Sequence, residues 1–116
     1  METIQLGCIT YTQAQAIAIM RHSSSQDKTY TLAQELIAAK LNVACQNSNS
    51  SCISSAIAAA DAWLCLHPIG SGVNGGSVWN QIKATHAALS KYNEGKSCAP
   101  ACNDDSVQLI SLPGTR

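Results

Sequence analysis

Six cysteines, three histidines and two tryptophans carry most of the chemistry available to this 116-residue chain. The cysteines Cys8, Cys45, Cys52, Cys65, Cys98 and Cys102 are separated by 36, 6, 12, 32 and 3 intervening residues. Zinc knuckles need Cys-x-x-Cys pairs, and none occurs here, so these spacings fit no ribbon or finger template. An even cysteine count in a small, aromatic-poor domain reads instead as a disulfide framework, and so as an oxidising compartment. Six cysteines permit fifteen pairings. Cys45–Cys52 is the preferred one, since it would clasp a helical hairpin across a six-residue turn.

Nucleophilic catalysis needs a histidine beside an activated Ser or Cys, itself oriented by a carboxylate. His22, His67 and His86 are scattered. Cys65 and His67 lie two apart, a spacing that points side chains away from each other on a helix, and His67 precedes Pro68, which favours extended backbone. A bridged Cys65, a solvated His67 and a packing role for His86 are therefore expected. Gly95-Lys96-Ser97 resembles the end of a phosphate-binding loop, but Ser90 stands where its first glycine belongs and a helix precedes it instead of a strand. Gly95 reads as a helix C-cap. Among the carboxylates, Asn103-Asp104-Asp105 lacks calcium-loop spacing and reads as a solvated turn. Asp61, inside an Ala-rich helix, is expected to pair with Lys40 or a backbone donor. No cofactor and no metal site are expected.

Trp63 and Trp79 flank a Gly-rich loop. Indole faces beside such a loop could stack sugars or grip a peptide, with Val73, Asn74, Gly75 and Gly76 as further contacts. In a chain without Phe they could equally be its largest core fillers.

Four helices and a tail would position these residues, as one all-α domain spanning 1–116. Thr12 and Gln15 form a capping box ahead of a first helix at about 13–21, with Ala14, Ile17, Ala18 and Met20 as its apolar stripe. Thr31 and Gln34 repeat the signal for a helix at about 31–45, with Leu32, Leu36, Ile37, Leu41 and Ala44 facing inward. Ser51 caps a third helix at about 52–66, which Pro68 ends. Ser77 caps a fourth at about 78–93, lined by Val78, Ile82, Leu89 and Tyr92. The tail, 96–116, is irregular, with an apolar patch from Val107 to Leu112. The expected architecture is a small four-helix bundle stapled by disulfides, with Cys8 at the same end as Cys45, Cys52 and Cys98, and Cys65 at the other.

Composition narrows the function further. Seven basic and seven acidic residues leave no net charge, and only 12% of residues are charged. A phosphate-tracking nucleic-acid binder needs a basic surface, so no nucleic-acid partner is expected. The 46% hydrophobic content argues against a disordered chain. No apolar run approaches the ~20 residues of a membrane span. Met1 to Gly7 lacks the charged and apolar regions of a signal peptide, so secretion would imply that a leader had been removed.

From Leu6 to about Cys98 the chain resembles an uncharacterised helical domain of secreted and cell-surface bacterial proteins. The matching blocks are Tyr11-Thr12-Gln13-Ala14-Gln15, Leu32-Ala33-Gln34-Glu35-Leu36-Ile37-Ala38-Ala39-Lys40-Leu41-Asn42, Ala58-Ala59-Ala60-Asp61-Ala62 and Tyr92-Asn93-Glu94-Gly95. The Gly-Tyr-Trp-Lys segment usual in that family is absent, and the extra cysteines are a departure from it. The resemblance implies a helical fold and an extracellular or cell-surface location, and transfers no catalytic residue. The expected function is a non-catalytic structural, scaffold or adhesion module. Its partner would be a second copy, a cell-surface protein or a glycan. A carbohydrate- or peptide-binding module is the alternative, and a hydrolase or redox enzyme the third reading.

Overall fold

A computed structural model describes residues 3–46 and 51–95. It overturns the all-α bundle: the chain opens with a two-stranded antiparallel hairpin, β1 (Thr3–Leu6) and β2 (Ile9–Thr12). Among the described residues five helices follow in place of the expected four: α1 (Gln13–Arg21), α2 (Lys28–Gln46), α3 (Ser51–Leu66), α4 (Gly76–Asn80) and α5 (Lys83–Asn93). Leu6 pairs with Ile9, which leaves Gly7 and Cys8 as a two-residue turn. Gly7 has φ +68°, the positive value such turns require at their first position. Alternation in β1 buries Ile4 and Leu6 and exposes Thr3 and Gln5, the pattern of a strand with one face on a core. So short a hairpin is marginal alone and forms here because it packs on α2 and α3.

The first helix starts where its capping box places it. Gln15 N–H donates to the Thr12 hydroxyl at 3.1 Å, and Thr12 N–H donates to the Gln15 side chain at 2.8 Å. Its inward face differs from the expected stripe: Ala16 and Ile19 are buried and Ala14 and Ala18 exposed, because α1 is held between the hairpin and α2.

Helix α2 begins at Lys28, a turn earlier than expected, because its cap is Asp27, whose Oδ1 accepts from Thr29 N–H at 3.0 Å. The Thr31–Gln34 box does not form across it. Gln34 Nε2 instead donates to the carbonyls of Ile19 (3.1 Å) and His22 (2.9 Å), satisfying the end of α1. Leu32, Ala33, Leu36, Ile37, Ala38, Ala39 and Leu41 are all buried. Such wide burial makes α2 the central helix, flanked by α1, α3, α5 and β1, while Ala44 is exposed.

The helix expected over 78–93 is two helices. Gln81 and Ile82 close tight i→i−3 turns onto Val78 and Trp79, and Ile82 leaves helical geometry at φ −125°, ψ −1°. That break lets Trp79 and Ile82 both face the core.

Cys8 is bonded to Cys65. This corrects the placement of the two at opposite ends: the hairpin, unforeseen in the sequence, carries Cys8 to the C-terminal end of α3. Cys52 is also disulfide-bonded. Its expected partner Cys45 lies in α2, but the Cys45 side chain, like Cys98, Cys102, Asn103-Asp104-Asp105 and the Val107–Leu112 patch, falls outside what is described.

Candidate functional site

Three polar and aromatic clusters stand out. The first surrounds the Gly-rich loop that follows α3. Trp63 and Trp79 meet edge to face, with centroids 6.1 Å apart and an interplanar angle of 77°. They are core residues, only 5% and 8% exposed. The Trp63 indole N–H donates to the Val78 carbonyl at 3.3 Å, fixing the ring. Histidines extend the stack: His67 lies 4.7 Å from Trp63 and His86 5.5 Å from Trp79. The Lys28 ammonium sits 5.7 Å from the Trp79 centroid, within cation–π range. Burial holds the half-buried His86 below the ordinary imidazole pKa, with Lys28 adding to the depression and Glu35 opposing it.

Of the proposed contact residues, Asn74 and Gly76 are exposed, and Val73 and Gly75 half-buried. The structure therefore brings the tryptophans together but turns them inward, and leaves the rim of the loop in water.

Asp27 organises this loop, a role that its sequence context did not disclose. Its carboxylate accepts from the Thr29 hydroxyl (2.6 Å) as well as the Thr29 amide, and across the fold from the amides of Gly72 (3.1 Å) and Val73 (3.2 Å). Lys28 N–H donates to the Val73 carbonyl at 2.6 Å, and Gly70 N–H to the Thr29 hydroxyl at 2.9 Å. Burial pushes the Asp27 pKa up, but the donated bonds from Thr29, Val73 and Gly72 outweigh it and hold the carboxyl below its usual value.

The second cluster joins hairpin, α2 and α3. Asp61 pairs with Lys40, as the adjacency of α2 and α3 led one to expect, at 2.9 Å to Oδ2 and 3.1 Å to Oδ1. The same carboxylate accepts from Gly7 N–H at 2.8 Å, and Lys40 also donates to the Gln5 carbonyl. A Cβ on Gly7 would lie 2.8 Å from the Cys65 amide nitrogen, so the turn is seated directly on α3.

The third cluster is buried. Asn93 Nδ2 donates to the Glu35 carbonyl (2.9 Å) and carboxylate (2.8 Å), and its Oδ1 accepts from Asn42 at 3.0 Å. These bonds tie the end of α5 to α2. Gly95 follows with φ +78° and its N–H on the Tyr92 carbonyl, the expected C-cap.

His22 stacks on Tyr30 with ring centroids 3.8 Å apart, while His67 and His86 flank the two tryptophans. Among the described residues, no group of three or more His, Cys, Asp or Glu is placed to hold a metal ion. Nor is any helix there long and apolar enough to cross a membrane. Compared with protein-family models, curated proteins and solved structures, the chain matches none.

Proposed function

We propose that this chain is a non-catalytic helical module of a secreted or cell-surface protein, with a structural, scaffolding or adhesive role and the capacity to associate with its own copies. The observation that carries this reading is the disulfide Cys8–Cys65, both of whose residues are exposed. A covalent lock at the surface is open to reductants and persists where the surroundings are oxidising. The blocks that resemble a secreted bacterial domain point the same way.

The outer face of α3 favours self-association. Ser54, Ser55, Ala58, Ala62 and Leu66 are exposed, Leu66 at 77%. The helix carries one charged residue, Asp61, and that residue is paired with Lys40. An uncharged, small-residue face lets a second helix approach closely without like-charge repulsion. A sugar- or peptide-binding role would require Trp63 or Trp79 to turn outward, and their burial weighs against it.

Intact mass of freshly isolated protein, before and after reduction and alkylation, tests the compartment. Paired Cys8 and Cys65 are expected, and free thiols there would overturn the extracellular reading. Light scattering after size exclusion tests association, with Ala62→Glu expected to abolish any concentration-dependent oligomer; a strict monomer would remove the self-association part.

A further inference from the structure

We propose that the hairpin is a doubly latched flap, held on α3 by a redox-sensitive lock and an ionic lock, either of which suffices to keep it seated. The covalent lock is Cys8–Cys65 and the ionic one is Asp61 with Lys40 and the Gly7 amide. Asp61 and Cys65 lie four residues apart in α3 and so share one face of it. They grip consecutive residues of the same turn, Gly7 and Cys8. Two locks on one turn, of different chemistry, make its release conditional on both.

Beyond the two locks the flap is held by apolar packing on α1, α2 and α3, supplied by Ile4, Leu6 and the half-buried Tyr11. From the two strands only Ile4 and Leu6 are buried. In β2, Ile9, Thr10 and Thr12 are exposed, and Tyr11 is half-buried. Beyond Thr12 the chain is anchored independently: α1 has its own cap at Thr12 and Gln34 holds its far end. Thr12 is thus the hinge. Opening the covalent lock takes two electrons and two protons from a dithiol, which leaves as its own disulfide while Cys8 and Cys65 become thiols. The reduced flap then rests on Asp61, Lys40 and the apolar side chains of Ile4, Leu6 and Tyr11.

Hydrogen exchange at residues 3–12 tests this in four proteins: the wild type, Asp61→Ala, Cys8→Ser/Cys65→Ser, and the triple variant. The cysteine replacement leaves the Cys52 bond intact, which a reductant would not. Either single-lock variant should keep hairpin protection within about tenfold of wild type, while the triple variant loses about a hundredfold or more, with α2 and α5 amides unchanged. Loss of protection on removing one lock alone, equal protection in the triple variant, or parallel loss in α2 would each overturn the proposal. Should the triple variant fail to fold, Lys40→Met in the serine background weakens the ionic lock more gently. Hairpin exchange there must exceed that of the serine variant, and equal exchange overturns the proposal.

Discussion

Trp63 presents the edge-to-face partner of Trp79, and the pair, 6.1 Å apart, forms the aromatic centre of a core that contains no phenylalanine. Trp79→Ala removes a buried ring that meets Trp63 of α3 and His86 of α5. A loss of about 3–5 kcal/mol is expected, read from the urea midpoint at unchanged slope. Trp79→Phe keeps a ring and should cost clearly less.

Asp27 couples the start of α2 to the loop at Gly72 and Val73, so Asp27→Ala should cost more than an isolated cap. Caps alone are worth about 1 kcal/mol. The sign with pH follows from a folded pKa below the ordinary carboxyl value. The unfolded chain takes up its proton first, so this contribution is present above the unfolded pKa and is lost as pH falls through the folded one. Acid unfolding followed by circular dichroism should show a shallower slope between those two values in the variant.

His86 titrates with the opposite chemistry but the same sense. Burial depresses its pKa, so the folded state resists protonation where the unfolded chain accepts it. Stability falls as pH drops from the unfolded pKa toward the folded one, then levels. Ring resonances of His86 should titrate below those of a solvated histidine. The melting temperature of His86→Gln should fall less over the same interval.

Asn93 links Glu35 and Asn42 of α2 through three side-chain hydrogen bonds. Asn93→Ala should cost about 2–3 kcal/mol, because truncating a buried polar group strands its partners. Asn93→Asp sets a carboxylate against Glu35 and should cost more. Leu89→Ala offers the comparison with a purely apolar loss beside it.

How far these arrangements were legible differs by element. The Thr12–Gln15 box marks the start of α1 because both halves of its bonding are local. The interior of α2 is equally plain from Leu32, Leu36 and Ile37. The start of α2 is not, since Thr31 and Gln34 imitate a cap while Asp27 wins by also bonding Gly72 and Val73, more than forty residues away. The hairpin left a faint trace in Thr3-Ile4-Gln5-Leu6 and Ile9-Thr10-Tyr11-Thr12 around Gly7, but strands so short gain their stability from docking. Cys8–Cys65 then followed from the hairpin, and no spacing rule contains it. Trp63 and Trp79 illustrate the remaining ambiguity: indoles beside glycines look the same in sequence whether they face water or a core.

The Cys8–Cys65 link spans 57 residues, and its neighbour, the Gly7–Asp61 bond, spans 54. Closing so wide a loop in an unstructured chain is entropically unfavourable, whereas α3 presents its final turn only once wound and seated. A bond across so wide a loop therefore restricts the unfolded chain far more than the folded one, which already holds Cys8 against α3.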